Sequence, residues 1–503
     1  MARQSRRQFM RKTLAAAATI TIAGTKSSGR VLGANDAIRV GVAGINGRGG
    51  SHVSAYLGMK DVQIAYLIDV DTRTFRGRLN QIQAGNGAAP QTVQDVRRAL
   101  DDRNVDVISI ATPNHWHSLM TIWAAQAGKH VYVEKPMSHN VKEGRIAVET
   151  ARRHNVIVQH GTQSRSDPAW AHATALARSG QLGRLKVARA LCYKPRNNSQ
   201  GRVPSVNPAA VPDDLNFNLW CGPAPLRAYH ENLVPYRWHW FWDFGNGDLG
   251  NQGVHQMDIA RWGIPNATLP RSAISLGGRF DTVEDHGETP NTQVALFDYG
   301  ETQLIFEVRG LLTNLPANRA AESYRGQTVG NIFHCEEGDI VGSNQFFPRG
   351  STTAQPLPRL ERALPQRPGE GRGDNVHFNN FIAAVRSRRR ADLNADILEG
   401  HYSSALCHLA NVSYRLGENV PFNPRTRAFG DNRDATDALE RMEAHLSAAA
   451  PAGNGLQLNN LQCHVGRKLD INASTESVTG NAAANRMLFR QYRAPFVVPD
   501  RVG

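Results

Sequence analysis

The chain has 503 residues, of which 41% are hydrophobic and 20% are charged. This is the composition of a globular protein with about two to four domains, and it excludes wholesale disorder. The five cysteines form no CxxC pair, which excludes a disulfide-dense scaffold and a cysteine zinc site. Half of the net charge of +14 lies in the first 34 residues, so the rest is only mildly basic and no nucleic-acid partner is expected.

Residues 1–34 have the composition of an export signal. Arg6 and Arg7 stand before a polar residue and Phe9, and a short, weakly apolar stretch follows at residues 13–24. The arginine pair predicts a twin-arginine leader, which exports proteins already folded. We therefore expect a periplasmic or otherwise exported protein, without stable membrane insertion once the signal is removed. An amphipathic or disordered tail is the alternative.

A β-branched run at residues 38–43 leads into a glycine-rich turn and then into a helical pattern from Ser51. Strand, tight turn and helix in this order are the setting of the dinucleotide fingerprint, in which a helix N-terminus binds a pyrophosphate. The glycine pattern is imperfect because Asn46 stands at its middle position, but Asn tolerates left-handed backbone. The cofactor-binding residues predicted here are Gly44, Asn46, Gly47, Arg48 and Gly49.

A second strand at residues 62–68 ends in Asp69. An acid about 20 residues after the glycine turn bonds the ribose 2′-hydroxyl of NAD and repels the 2′-phosphate of NADP. Asp69 therefore predicts NAD as the cofactor, while Arg73 nearby keeps NADP possible. A solvated acid at the end of a strand is the alternative for Asp69.

Strands and helices continue to alternate, with further strands at residues 105–111, 130–133 and 156–159. Such alternation predicts a parallel, doubly wound sheet, whose ligands lie beyond the carboxyl ends of the strands. Residues that follow two of these strands are expected to line the cofactor site, with ordinary loop structure as the alternative for Asn114 and His117. They are Thr112, Pro113, Asn114, His117 and Glu134, and Lys135 follows at the same strand end.

Residues 38–49, residues 111–117 and above all Glu134-Lys135-Pro136 resemble the glucose–fructose oxidoreductase, inositol dehydrogenase and MocA family. The resemblance covers roughly residues 36–420. It implies a Rossmann domain followed by an α/β domain, whose open, mostly antiparallel sheet serves substrate binding and oligomer contacts. It also implies that Lys135 is the catalytic lysine and that the protein is a homo-oligomer.

The family pattern further implies an aspartate four residues before a catalytic histidine, at the opening of a helix. His255 matches the histidine, but Asn251 stands at the aspartate position, as in a subgroup of exported relatives with Gly-Asn-Gln-Gly. If the segment is helical, Asp248, Asn251, His255 and Asp258 share one face, although glycines make helicity before Asn251 doubtful. A buried, hydrogen-bonded histidine is the alternative for His255, and Asp258 is expected to be structural.

These groups suit the oxidation of a sugar hydroxyl. Lys135 would polarise the hydroxyl and relay its proton, His255 would act as general base, and Asn251 would orient the substrate or the imidazole. The aromatic run at residues 236–243 is expected to contact the sugar, with a core or an oligomer interface as the alternative. The residues assigned to substrate are Tyr193, Arg196, Arg237, His239, Trp240 and Asp248.

The predicted fold class is α/β followed by α+β. It comprises a Rossmann domain with a doubly wound parallel sheet, and then a second domain with an open, mostly antiparallel sheet. The predicted segments are the signal at 1–34, an NAD(P)-binding domain at 35–162, a substrate and oligomerisation domain at 163–425 and a C-terminal extension at 426–503 that docks on the body. No cluster has metal-ligand spacing, so no metal is expected.

The sequence thus favours an exported, nicotinamide-dependent oxidoreductase acting on a hydroxyl of a sugar, polyol or glycoside. One alternative is a redox-neutral enzyme in which NAD transiently oxidises a ring hydroxyl, so that elimination cleaves a glycosidic bond. Another alternative is a family member that has kept the fold and lost catalysis. The departures from the family pattern at Asn46 and Asn251 favour this alternative.

Overall fold

The computed structural model describes residues 37–196, 200–280, 284–313, 323–364, 374–422, 427–449 and 456–502, so the predicted leader lies outside the described residues. The first domain is built on a parallel sheet with the strand order β3-β2-β1-β4-β5-β6. Its strands are β1 (Ile38–Ala43), β2 (Val62–Ile68), β3 (Gln91–Val93), β4 (Val107–Ile110), β5 (His130–Val133) and β6 (Val158–His160). This order is that of the dinucleotide-binding Rossmann fold.

Both faces of this sheet are covered by helices, as the buried, β-branched strands require. The connecting helices are α1 (Arg48–Leu57), α2 (Phe75–Ala84), α3 (Arg97–Asp101), α4 (Asn114–Gln126) and α5 (Val141–Arg153). Local sequence fixes the start of α5, because the Asn140 side chain accepts a hydrogen bond from the Glu143 backbone at 2.9 Å and the Glu143 carboxylate accepts one from the His139 backbone at 3.1 Å.

The second domain is built on a twelve-stranded mixed sheet with the main order β14-β13-β12-β11-β7-β10-β9-β8-β16-β15. Only β7 and β10 run parallel among the described neighbours. The strands are β7 (Leu185–Tyr193), β8 (Ser272–Gly278), β9 (Thr292–Asp298), β10 (Gln303–Arg309), β11 (Val329–Cys335), β12 (Gly338–Val341), β13 (Gln345–Pro348), β14 (Gln355–Pro356), β15 (Glu418–Pro421), β16 (Gln462–Val465), β17 (Leu469–Asn472) and β18 (Ser477–Val478). The predicted fold class is confirmed.

Helices cover both faces of this second sheet, and the strands alternate accordingly. On β10, Leu304 and Phe306 face the larger core, whereas Ile305 faces the opposite core. The remaining helices are α6 (Pro168–Arg178), α7 (Phe217–Cys221), α8 (Val254–Trp262), α9 (Asp374–Ser387), α10 (Ile397–Arg415), α11 (Arg433–Ser447) and α12 (Ala482–Met487). Helices α6, α8 and α10 pack on the larger core, and α11 on the opposite one.

Later parts of the chain return to the first domain. Phe378 of α9 stacks on Tyr132 of β5 with ring centroids 4.3 Å apart, and Phe496 and Val498 of the C-terminal tail are buried in the core beside α4. Segments from beyond the predicted boundary at residue 162 therefore contribute to the cores of the first domain. None of the helices in the described ranges has the length and apolar content needed to cross a membrane.

Candidate active site

A cavity of about 450 Å³ lies at the carboxyl ends of β1, β2, β4 and β5. Its first wall is made by the loops that follow these strands, and its second by residues between Gln200 and Asn251 of the second domain. Open parallel sheets bind their ligands at this edge. The cavity joins most of the predicted cofactor residues to Lys135 and Asn251.

The glycine turn after β1 has the close backbone approaches that only glycine permits. Gly44 has φ +78°, and a Cβ there would lie 2.6 Å from the Thr112 nitrogen; a Cβ on Gly49 would lie 1.9 Å from the Gly44 oxygen. Asn46 is not among the residues with positive φ, so the expected left-handed conformation is not used. Arg78 instead holds the turn by donating to the carbonyls of Ile45 at 2.7 Å and Asn46 at 2.5 Å.

Asp69 lies at the edge of the cavity and supports the glycine turn. Its carboxylate accepts hydrogen bonds from the backbone of Ile45 at 2.9 Å and of Asp71 at 3.0 Å. Burial raises the pKa of Asp69 to about 6. Arg73 does not reach the cavity: it is exposed and its guanidinium pairs with Asp71, with Nη2 and Oδ2 2.7 Å apart. Arg73, which the sequence assigned to the cofactor, is therefore not among the residues that line the cavity.

Glu134 connects the glycine turn to the end of β5. Its buried carboxylate accepts a hydrogen bond from Arg48 Nε at 2.7 Å and lies 3.2 Å from His52 Nε2. Burial alone would raise the pKa of Glu134, but the Arg48 guanidinium and His52 hold it well below its usual range. Arg48 and Glu134 both line the cavity. The sequence assigned these two residues to cofactor binding separately, and in the structure they form one ion pair.

The loop after β4 reaches the cavity through Thr112 and Pro113, and the first turn of α4 reaches it through Asn114 and His117. The His117 imidazole is a structural link as well, because its ring nitrogens lie 2.7 Å from the Thr112 carbonyl and 2.6 Å from the Pro136 carbonyl. It thereby ties the loops after β4 and β5 together. Asn114 donates to the Asn246 side chain at 3.1 Å and so connects the first domain to the second.

Lys135 and Asn251 meet across the cavity. The Lys135 ammonium donates to the Asn251 backbone carbonyl at 2.5 Å. Burial lowers the pKa of Lys135 to about 8, with Glu134 opposing the shift. Asn251 lies in a π-helical turn (Leu249–Gly253) that precedes α8, and such turns are frequent at functional sites.

His255, in the first turn of α8, is partly buried and lies near enough to Lys135 for their charges to interact. Burial, followed by the Lys135 charge, lowers the pKa of His255 to about 3, so the imidazole is neutral at physiological pH. Its side chain is not among those that line the cavity. Asp258, one turn further on, is bound by Arg165 at 2.8 and 2.9 Å and has a structural contact, as expected.

On the second-domain side, Tyr236 lines the cavity, although the sequence assigned substrate contacts to Arg237, His239 and Trp240 instead. Its hydroxyl accepts hydrogen bonds from Asn251 Nδ2 at 3.1 Å and Arg196 Nη1 at 3.2 Å. Behind it, Arg196 also binds Asp248 Oδ1 at 2.6 Å, so this pair supports Tyr236 and does not line the cavity. His239 does line it, stacked on Trp238 with ring centroids 3.6 Å apart.

Three residues predicted to bind substrate lie elsewhere. The Tyr193 hydroxyl donates to the buried Glu307 at 2.7 Å, and Trp240 is 1% exposed and donates to the Gln200 carbonyl at 2.7 Å. Arg237 binds the Asn232 side chain. None of the three lines the cavity, because tertiary packing turns these side chains into the core or along the surface.

Sequence reasoning missed several residues that line the cavity, namely Asp71, Gln94, Asp95, Trp220, Tyr236 and Trp238. Tyr236 and Trp238 belong to the aromatic run that the sequence singled out, but no local pattern shows which of its rings face a ligand. Asp71 lies two residues after Asp69, beyond the end of the same strand, and this position could have identified it as a cavity residue.

Fold and site together define a dinucleotide-binding protein of the Rossmann class with an appended α/β domain. Residues 38–162 match the model of the Gfo/Idh/MocA oxidoreductase family, NAD-binding Rossmann fold, and residues 175–268 match the model of its C-terminal α/β domain. These two parts of the chain are thus similar to the two domains of the Gfo/Idh/MocA oxidoreductase family. The family resemblance predicted from the sequence is thereby confirmed.

Curated relatives include dehydrogenases and a glycosidase. Levoglucosan dehydrogenase of Pseudarthrobacter phenanthrenivorans is 26% identical over 261 residues, 50% of this chain and 58% of that protein. scyllo-Inositol 2-dehydrogenase (NAD(+)) of Bacillus subtilis is 32% identical over 130 residues, 26% of this chain and 36% of that protein. A glycosyl hydrolase family 109 protein of Shewanella baltica is 32% identical over 135 residues, 26% of this chain and 29% of that protein. The chain therefore spans 29% to 58% of the length of these relatives.

Solved structures share the fold over a greater length. Levoglucosan dehydrogenase in complex with NADH and levoglucosan superimposes with a TM-score of 0.54 at 17% identity, covering 74% of this chain and 96% of that one. The WlbA dehydrogenase of Bordetella pertussis in complex with NADH and UDP-GlcNAcA gives 0.52 at 18% identity, covering 75% and 97%. At these identities the likeness establishes the fold.

Proposed function

We propose that this protein is a nicotinamide-dependent oxidoreductase that oxidises a hydroxyl of a sugar, polyol or glycoside, with NAD as cofactor. The observation that carries the proposal is the cavity itself, which runs from the glycine turn and Asp69 to Lys135 and Asn251. The dehydrogenases among the relatives support the same class of reaction.

The residues at one end of the cavity fit a dinucleotide. The turn at Gly44 and Gly49 and the N-terminus of α1 offer backbone N–H groups to a pyrophosphate, and nothing lies within 4 Å of a Cβ built on Gly47. At the ribose end, Asp69 and Asp71 line the cavity and Arg73 is already paired. Among the described residues that line the cavity, the one arginine, Arg48, is paired with Glu134. The two carboxylates therefore favour a ribose hydroxyl over a 2′-phosphate, and hence NAD over NADP.

The other end of the cavity fits the chemistry of alcohol oxidation. Oxidation of a CH–OH group to a carbonyl releases one hydride and one proton, and nicotinamide, when bound, takes the hydride. The Lys135 ammonium stabilises negative charge that develops on the substrate oxygen. Lys135 relays the hydroxyl proton to His255, the proposed general base, which is neutral and near Lys135 but does not line the cavity. Asn251 fixes Lys135 through its backbone carbonyl.

The test is the formation of reduced nicotinamide when the purified protein is mixed with NAD and a panel of sugars that includes levoglucosan and scyllo-inositol. The proposal expects NAD to bind and at least one sugar to give reduced nicotinamide, with NADP less effective. A protein that binds neither nucleotide contradicts it.

The match to a glycosyl hydrolase family 109 protein favours a second candidate, redox-neutral cleavage of a glycosidic bond. In that reaction the hydride returns to the substrate, so no net reduced nicotinamide accumulates. Nitrophenyl glycosides distinguish the two functions: release of nitrophenol that depends on NAD, without net reduction, favours cleavage, whereas stoichiometric reduction without nitrophenol favours the dehydrogenase.

We also propose that the arginine pair at Arg6 and Arg7 directs export of the folded protein, and that the protein acts as a homo-oligomer. To test the first point, residues 1–34 are fused to a reporter that becomes active only when it folds before export, and active exported reporter is expected. The double variant Arg6→Lys and Arg7→Lys is the control that should not be exported. Light scattering of the mature protein tests the second, and a monomer mass contradicts it.

A further inference from the structure

Asn251 holds two polar groups at the reacting end of the cavity at once. Its backbone carbonyl accepts from the Lys135 ammonium at 2.5 Å, and its side-chain Nδ2 donates to the Tyr236 hydroxyl at 3.1 Å. All three residues line the cavity. One residue therefore fixes both a cation and a phenol at this end.

The Tyr236 oxygen is fully used as an acceptor. A phenol oxygen has one proton to donate and can accept about two hydrogen bonds. Here both acceptor positions are occupied, one by Asn251 Nδ2 and the other by Arg196 Nη1 at 3.2 Å. The phenol proton must then point away from these two donors. Because Tyr236 lines the cavity, the direction left for its proton is toward a ligand there.

The support behind Tyr236 is rigid. Arg196 is 7% exposed and donates from Nε and Nη2 to Asp248 Oδ1 at 3.1 and 2.6 Å. Asp248 is itself 2% exposed. A guanidinium held in this way cannot turn with the substrate, so it fixes the phenol oxygen and places positive charge beside it.

This arrangement gives a physical reason for asparagine at position 251. An aspartate there has no N–H to donate and would present a charged acceptor to Tyr236. The phenol proton would then turn toward the carboxylate, away from the cavity. Asparagine keeps the phenol proton available.

We propose that Tyr236 donates a hydrogen bond to the substrate oxygen that is oxidised, and so shares with Lys135 the stabilisation of negative charge on that oxygen. The inference rests on the proposed function and deepens it. Tyr236 is then a catalytic residue, and Asn251, Arg196 and Asp248 are positioning residues that act through it.

The decisive variant is Tyr236→Phe, which keeps the ring and removes the hydroxyl. If the bond strengthens as charge develops, kcat falls by about 100-fold while the KM for the sugar changes little. Tyr229→Phe is the matched control, because Tyr229 packs against Phe217 with centroids 5.3 Å apart and does not line the cavity. Tyr229→Phe should keep wild-type kcat.

A second variant keeps the inference testable even if Tyr236→Phe does not fold. Asn251→Asp is nearly isosteric and restores the acid of the family pattern. The inference expects kcat to fall, because the phenol proton turns to the carboxylate. Unchanged or increased kcat in Asn251→Asp overturns it, as does unchanged kcat in folded Tyr236→Phe.

A structural measurement gives a readout other than turnover. In a crystal of the wild-type protein with NADH and levoglucosan or scyllo-inositol, the Tyr236 oxygen should lie within about 3 Å of the sugar oxygen that contacts Lys135. A sugar bound with Tyr236 more than about 4 Å away overturns the inference. If the wild type neither binds nor oxidises any sugar of the panel, the proposed function itself fails; an active wild type with an equally active Tyr236→Phe rejects the role of Tyr236 alone.

Discussion

At the scale of single residues, burial sets the protonation states around the cavity. It lowers the pKa of Lys135 to about 8 and that of His255 to about 3, and it raises that of Asp69 to about 6. Near neutral pH, Lys135 is therefore mainly an ammonium, His255 a neutral imidazole and Asp69 mainly a carboxylate. The ammonium stabilises negative charge and the carboxylate repels a 2′-phosphate, whereas an imidazole with a pKa of about 3 holds a proton only weakly.

Replacement of Lys135 by alanine should abolish most turnover and leave NAD binding largely intact. The variant removes the cation at the reacting end of the cavity, and loss of one such group costs about 10²- to 10³-fold in kcat. Steady-state kinetics and calorimetric NAD titration measure the two effects. Lys142→Ala is the control, because Lys142 is exposed on α5 and should have no effect. Unchanged turnover in Lys135→Ala contradicts its assigned role.

Selectivity for NAD over NADP should depend on pH through Asp69. Its pKa is raised to about 6, so lowering the pH through this value protonates the carboxyl and removes the charge that repels a 2′-phosphate. The ratio of the Kd for NADP to that for NAD should thus fall by about tenfold between about pH 8 and pH 5. In Asp69→Asn the ratio should be low at both pH values. A ratio that changes equally with pH in this variant shows that another group reads the ribose.

At the scale of elements, the turn between β1 and α1 depends on backbone contact rather than on side chains. A methyl group on Gly49 would collide with the Gly44 carbonyl, whereas one on Gly77 in α2 meets nothing within 4 Å. Gly49→Ala should therefore lower the free energy of unfolding by about 1–3 kcal/mol and weaken NAD binding. Gly77→Ala should leave both unchanged or slightly raise stability. Urea unfolding and NAD titration measure both variants. If Gly49→Ala keeps the stability and the NAD affinity of the wild type, the close approach is refuted.

The elements were largely predictable from the sequence, and side-chain directions were not. The hydrophobic pattern predicted strands at 38–43 and 62–68, and the structure has Ile38–Ala43 and Val62–Ile68. The acid and the lysine at strand ends reached the cavity because parallel strands fix where their ends meet. Tyr193 and Trp240 did not, since the packing of distant segments decides which way such side chains point.

At the scale of the whole molecule, the C-terminal tail connects the two walls of the cavity. Phe496 is 2% exposed and packs against Trp116, which lines the cavity, with ring centroids 5.5 Å apart. Three residues earlier, Arg493 donates to the carbonyls of Asn218 at 2.8 Å and Gly222 at 3.0 Å, beside the second wall. The tail thus stabilises the relative position of both walls.

Phe496→Ala should destabilise the protein by about 3 kcal/mol, because it leaves a cavity in the core beside α4. It should also weaken NAD binding, since Trp116 loses a packing partner. Phe489→Ala is the matched control from the same segment, where Phe489 is 48% exposed and should contribute little. Denaturant unfolding with NAD titration measures both. Equal stability of the two variants contradicts a docked tail.

The most direct test of the central claim is the absorbance of reduced nicotinamide when sugars of the panel are added to NAD-loaded wild-type and Lys135→Ala proteins. The account predicts that both proteins bind NAD and that only the wild type forms reduced nicotinamide with a sugar. Failure of the wild type to bind NAD, or equal reduction by the Lys135→Ala variant, would contradict it.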